Sequence, residues 1–294
     1  MTVANQIRAG EIEIGIGGGV ESMTNYDMMG QVNTDLLSDA VFENESAQKC
    51  MIGMGDTSEN VIEKFGITRL QQDTMAFESH MKALHSNKMG WSQKEITPYT
   101  TTVKDKDGNE SNLLIDRDDG PRATTTMEGL AKLKPAFRKG GSCTAGNSSQ
   151  TTDGAAVVLV AKRSAAKKLG LPIRGRILSY AVAGVPPEIM GIGPAFAIPA
   201  ALKKCGMGVK DVDCWEINEA FASQATYCVE KLQIPRERLN RRGGAIALGH
   251  PLGMTGARMI CTLFAELERT NEKTGVISMC IGTGMGAAGV FERE

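Results

Sequence analysis

Ring chemistry is scarce in this chain of 294 residues: three histidines, two tryptophans and an aromatic share of 5%. No sign of charge dominates either, since the formal net charge is −1. That removes the electrostatic footprint of a nucleic-acid-binding protein and the polybasic patch of a membrane-surface protein, so neither partner is expected. No apolar run approaches the roughly 20 residues needed to span a bilayer. The seven cysteines (Cys50, Cys143, Cys205, Cys214, Cys228, Cys261 and Cys280) form no Cys-x-x-Cys pair. An odd, scattered set argues against a disulfide framework and for a reducing compartment. No His/Cys pair has metal-ligand spacing, so no metal site is expected. No secretory or transit pattern is read at Met1, and the final residues, VFERE, carry no Ser-Lys-Leu address.

What is present is enough apolar material for a real core, at 41% hydrophobic and 23% charged residues, in one large or two ordinary domains. The most unusual stretch is Gly243 to Arg258, GGAIALGHPLGMTGAR, with no charge before Arg258. An apolar run, Ala245 to Leu248, reads as a strand and feeds a Gly249-His250-Pro251 turn. A helical pattern follows from Gly256 to Arg269. A histidine on such a turn is placed for proton transfer, or is a turn residue bonded to backbone.

Around it the second half alternates. Strands are expected at Gly175–Val182, Asp213–Ile217, Thr274–Met279 and Gly289–Glu292, and helices at Pro194–Cys205 and Glu219–Leu232. That order predicts a layered α/β domain whose ligands sit beyond the strand ends. Asn218, His250 and Cys280 then collect near one rim. Cys280 closes an apolar strand and precedes alternating glycines, a setting suited to a reactive thiol. The other cysteines at 50, 205, 214, 228 and 261 read as packing.

The first half opens with a helix at Thr2–Ala9, capped by Gly10, and a strand at Glu11–Ile16 running into glycines. GIGGGV fails as a dinucleotide motif, because the third glycine would fall on Val20 and no helix opens there. GxGxxA at Gly282, Gly284 and Ala287 fails too, since the chain ends shortly after it. Residues 24–140 read as a polar, mixed insert, with Asn25 to Gln48 irregular. It contains helices at Asp56–Gly66 and Leu70–Lys88 and a Thr97–Ile115 hairpin turning at Asp107-Gly108. His80 and His85 are expected to be solvated. Gly140 to Gln150 is a small-residue loop fit to hold a phosphate or pantetheine arm, or simply to turn into the strand Ala155–Ala161. A basic helix follows at Lys162–Leu169.

WEINEAFASQ, GGAIALGHPLGMTGAR and MCIGTGMGAAGVFE together resemble the three C-terminal signatures of the thiolases. GVESM, MEGLAKLKPAF, TAGNSSQTTDGAA and GIGPAFAIPAAL extend the resemblance over nearly the whole chain, and it is most similar to the peroxisomal type of 3-ketoacyl-CoA thiolase. The resemblance implies an αβαβα fold from two similar halves, residues 1–171 with a loop-domain insert at about 24–140, and residues 172–294. It implies thiolytic cleavage of 3-ketoacyl-CoA, with coenzyme A as a substrate and no cofactor. It also implies a homodimer or a dimer of dimers, and a peroxisomal location, with the cytoplasm as the alternative because no targeting signal is read.

By the same resemblance His250 corresponds to the base that activates a nucleophilic cysteine. Cys280 corresponds to the acid/base thiol, and Asn218 to the residue that fixes a water of the oxyanion hole. The Gly282 amide belongs to the second hole. Ser149 matches a pantetheine contact, and Arg122, Met127 and Leu130 lie in the segment that resembles the coenzyme A-binding loop domain. One departure follows from the alignment of VANQIRAG with the helix that carries the family's nucleophile. The nucleophilic cysteine would fall a few residues ahead of Met1, and none of the seven cysteines replaces it. The expectation is therefore an N-terminal half that is truncated, and a chain that alone has no turnover. The alternative is a non-catalytic relative that binds coenzyme A esters or pairs with full-length subunits. Met254, where cysteine is common, is volume-tolerant.

Overall fold

A computed structural model of the chain describes residues 1–26 and 34–294. In chain order its elements are α1 (Thr2–Ala9), β1 (Ile14–Glu21), α2 (Asp39–Glu43), α3 (Glu45–Lys49), α4 (Met54–Phe65), α5 (Arg69–Lys88), β2 (Tyr99–Lys104) and β3 (Glu110–Ile115). There follow α6 (Met127–Ala131), β4 (Gly154–Ala161), α7 (Arg163–Lys168), β5 (Gly175–Gly184), α8 (Gly193–Lys204), β6 (Cys214–Ile217) and α9 (Ala222–Leu232). The last are α10 (Ala245–Leu248), α11 (Thr255–Thr270), β7 (Thr274–Ile281) and β8 (Met285–Arg293).

Two sheets organise these elements. One is an antiparallel β1–β4 ribbon; the other has the order β5-β8-β7-β6, with β6 parallel to β7 and the rest antiparallel. Side chains alternate across a strand, so each face of the second sheet has its own partner. Val276, Ala288 and Val290 pack with Ile198 and Leu202 of α8. Ile277, Phe291 and Cys214 point the other way, onto Leu263, Phe264 and Leu267 of α11. Helix α11 also touches β4 and β1, which places it between the sheets. The result is the layered α/β arrangement expected from the alternating second half. The Asp107-Gly108 hairpin and the left-handed Gly10 cap, at φ 79°, also form as expected.

The differences have physical reasons. Ala245–Leu248 is a short helix, not a strand; four apolar residues carry no period with which to tell the two apart. The segment read as polar insert is not peripheral, because Met75 and Ala76 of α5 join the main core. Its buried face also holds Gln72, Asp73, Ser79 and His80, so hydrophobic periodicity could not reveal it. The irregular reading of Asn25 to Gln48 falls partly on residues 27–33, outside the described ones; within the remainder, Ser38 and Asn44 cap α2 and α3. Cys214 and Cys228 are buried as expected, whereas Cys50, Cys205 and Cys261 are partly exposed.

The outer face of the β1–β4 ribbon is apolar and uncovered. Ile16 pairs with Leu159 and Gly18 with Val157, and Ile16, Val20, Val157 and Leu159 are between 53% and 71% exposed. An apolar strand face with unpaired edges invites self-association. The double substitution Val20→Lys and Leu159→Lys is expected to reduce self-association and dye binding by the isolated chain, with its far-ultraviolet circular dichroism unchanged. Sedimentation velocity of both proteins checks this; a wild-type chain that is already monomeric at high concentration would contradict it.

Candidate active site

Of the rim predicted from the strand ends, Asn218 and Cys280 lie at the ends of neighbouring strands, while His250 reaches it from a turn after a helix. Asn218 directly follows β6, and its backbone N–H donates to Ser278 O on β7 at 2.9 Å. Cys280 lies two residues further along β7, opposite Gly286 of β8. His250 occupies the turn between α10 and α11. Asn218 and His250 touch, with Nδ2 to Nε2 at 3.2 Å. Among the described residues no hydrogen bond joins the Cys280 thiol to either of them.

The state of the His250 ring follows from its partners. The Thr255 hydroxyl donates to Pro251 O at 2.8 Å, so its oxygen is left to accept from His250 Nδ1–H at 2.7 Å. That assigns the proton to Nδ1 and leaves Nε2 as an acceptor for the Asn218 amide. Burial, then the Arg258 charge, lowers the ring's pKa from 6.5 to about 4, so it is neutral at neutral pH. Asn218 is 1% exposed, and its Oδ1 has no partner among the described residues. A buried acceptor aimed into a polar site is a seat for an ordered water.

Local folding fixes this arrangement. Glu219, fully buried, accepts from Ser79 Oγ at 2.6 Å, from Asn240 Nδ2 at 2.6 Å and from the Ile246 N–H at 3.3 Å. It thereby ties α5, the end of β6 and α10 together; its pKa is raised by burial, against the hydrogen bonds from Ser79 and Asn240. His250 N–H donates to Gln150 O at 3.2 Å, and Gln150 Nε2 in turn donates to Gly120 O, Ile246 O and Ala247 O. The Cys280 thiol is pushed up to about 11 by burial and keeps its proton at neutral pH. After it, Gly282 turns the chain at φ 56°, a left-handed conformation that favours glycine. Gly286 lets α8 approach, because a Cβ there would lie 2.1 Å from the Gly193 carbonyl carbon.

The remaining sequence-derived candidates are divided. Arg122 and Leu130 line a cavity of about 200 Å³ together with His80, Thr126, Gly146 and Gln150. Met127 does not line it and packs against the core. Ser149 lies beside the Asn218 turn, its N–H donating to Ala220 O at 2.9 Å. His80, expected to be solvated, is only 4% exposed: its Nδ1 accepts from the Arg122 N–H at 3.2 Å, and burial, then Arg122, lowers its pKa. His85 is exposed as expected. Thr255, Gln150 and His80 were missed by the sequence reading; the only signal was that two of them flank small-residue turns.

The Cys143 thiol is buried against Ser58 and Ser148, and burial raises its pKa. Cys50 lies over the turn after Cys280, with Sγ 3.6 Å from Thr283 O. None of the seven thiols is hydrogen-bonded to His250. No group of three or more His, Cys, Asp or Glu residues fit to hold a metal is found among the described residues.

The chain is similar to known proteins over nearly its whole length. The family profile described as the thiolase N-terminal domain matches residues 1–164, and that of the thiolase C-terminal domain matches residues 171–293. Peroxisomal 3-ketoacyl-CoA thiolase B of Rattus norvegicus is 59% identical over 291 residues, covering 99% of this chain and 68% of that protein. The peroxisomal 3-ketoacyl-CoA thiolase of Homo sapiens is 58% identical over 292 residues, with the same coverage of 99% and 68%. The crystal structure of the dimeric peroxisomal thiolase of Saccharomyces cerevisiae superposes with a TM-score of 0.88 at 48% identity, covering 100% of this chain and 72% of that one.

The buried ring has a consequence for stability. The unfolded chain takes a proton near pH 6.5 and the folded one only near pH 4, so stability falls as pH drops between those values and is unaffected above them. The difference in unfolding free energy between wild type and His250→Asn is expected to be constant above pH 6.5 and to move against the wild type below it. Urea unfolding at a series of pH values checks this; a flat difference throughout would contradict a buried neutral imidazole.

Proposed function

Since the chain belongs to the thiolase family, we propose that it takes part in thiolytic cleavage of 3-ketoacyl-CoA with coenzyme A, giving acetyl-CoA and a shortened acyl-CoA in peroxisomal fatty acid β-oxidation. The observation that carries this reading is the His250 ring, with Nδ1 held by Thr255 and Nε2 facing Asn218. His250 Nε2 accepts the proton of a nucleophilic thiol. The resulting Nε2–H and a water on Asn218 Oδ1 then stabilise the enolate oxygen that develops as the C–C bond breaks. Removing one such donor typically costs roughly 10² to 10³ in rate. Cys280, which keeps its proton at neutral pH, delivers it to the enolate carbon and takes one back from the incoming coenzyme A. The Gly282 amide serves the oxyanion of the acylated thiol. Arg122 and Leu130, at the 200 Å³ cavity, and Ser149, beside the Asn218 turn, take the coenzyme A arm, with Met127 packed behind.

The assembly is a homodimer, as in the yeast relative described as dimeric, and the chain divides into halves at 171/172. That none of the seven thiols is hydrogen-bonded to the His250 ring supports the reading that the thiol it would activate is not one of them. These 294 residues alone therefore bind coenzyme A esters without turning them over, and thiolysis needs that thiol, for instance through pairing with a full-length subunit. Coenzyme A is expected to bind the purified chain in calorimetry, and Arg122→Ala to weaken it roughly tenfold, about 1.4 kcal/mol. Incubation with labelled acetyl-CoA is expected to leave no acyl-cysteine detectable by mass spectrometry. Failure to bind coenzyme A would contradict the family function; a stable acyl adduct with thiolysis would contradict the missing nucleophile.

A further inference from the structure

Beside the His250–Asn218 contact lies a second one, between β6 and α11 themselves. Strand β6 ends at Ile217, and Glu216 shares its face with Asn218, about 6.6 Å along at the ordinary strand rise. On α11, Thr255 and Arg258 are three residues apart and share a face. Thr255 holds His250, and Arg258 Nη1 reaches Glu216 Oε2 at 3.1 Å. The side chains of Glu216 and Arg258 are 2% and 15% exposed. β6 pairs with β7 on one side; on the other it is held by the Trp215–Leu239 bridge and by Asn240. The Asn240 N–H donates to Trp215 O at 2.8 Å, and its side chain bonds the Ile217 N–H and O at 2.9 Å each. The Glu216–Arg258 contact is the one that ties this strand to α11 across its face.

We propose that the Glu216–Arg258 contact is the latch that sets the spacing of β6 from α11, and thereby the Asn218–His250 contact; Glu216 is a positioning residue of the site. A fully buried acidic side chain is costly to keep, and such groups are retained for specificity of arrangement more than for stability. Glu216 Oε1 has no partner among the described residues, which makes Arg258 its one anchor. The charged and titratable groups facing Glu216 include Arg258, Glu95, Glu219, Glu266 and Cys214; Asp118, Cys261 and, from the turn ahead of α11, His250 face Arg258. The proposal rests on the reading of the site above only for the choice of His250 as reporter. Its readout is the ring itself, not turnover, so its failure is separable from failure of the thiolytic reading.

The test uses the 294-residue chain labelled with ¹³C-histidine. The chain has three histidines, assigned by His80→Gln and His85→Gln. Glu216→Asp keeps the carboxyl group and withdraws it by one methylene; Arg258→Lys keeps the charge and loses the fork. In either folded variant the His250 signals are expected to shift and the ring's pKa to rise by about half a unit or more as water enters. The His80 and His85 signals should stay in place. Burial holds the Glu216 carboxyl protonated up to about pH 8, so Glu216→Gln, of equal length and charge at neutral pH, is expected to restore the wild-type His250 signals. An unchanged His250 in folded Glu216→Asp would overturn the latch, as would a Glu216→Gln shift as large as that of the aspartate. If Glu216→Asp does not fold, Arg258→Lys decides on the same criterion.

Discussion

Both ring nitrogens of His250 are spoken for, and most of the local architecture serves that condition. Thr255 can take the Nδ1 proton only because its own hydroxyl proton is committed to Pro251 O. Nε2 is then the acceptor, facing the Asn218 amide. A ring so held stays neutral through burial, and its unprotonated nitrogen is the one that can receive a proton.

Meeting that condition draws in distant parts of the chain. The turn bearing His250 is pinned by Gln150 from the loop before β4, and by Glu219, whose carboxylate collects donors from α5, from the segment after α9 and from α10. Helix α11 contributes Thr255 and Arg258 on one face and buries Leu263 and Leu267 on another, so one helix orients the ring and also joins the two sheets. Gln150 further links the ring to the cavity at Arg122, which places the pocket and the proton-handling groups in one hydrogen-bonded frame.

How much of this was legible depended on where the signal lay. β7, β8 and α11 were readable because their apolar residues recur with a clean period and glycines mark their ends. Asn218, His250 and Cys280 were readable because each sits at such an end, and the order of three motifs carried the family. α10 was misread because four apolar residues fit either structure. His80 was misread because the buried face of α5 is polar, with Gln72 Nε2, Asp73 and Ser79 bonded to partners on other elements such as Ser142, Asn147 and Glu219. Pairings across such sequence distances leave no local pattern. Glu216 was hidden in the same way: only the fold brings Arg258, 42 residues on, to it.

The most direct measurement is a long-range ¹⁵N–¹H correlation spectrum of the histidine rings at neutral pH. The account predicts a single neutral tautomer for His250, with a protonated Nδ1 and a bare Nε2. A ring protonated at Nε2, or an averaged or doubly protonated ring, would contradict it.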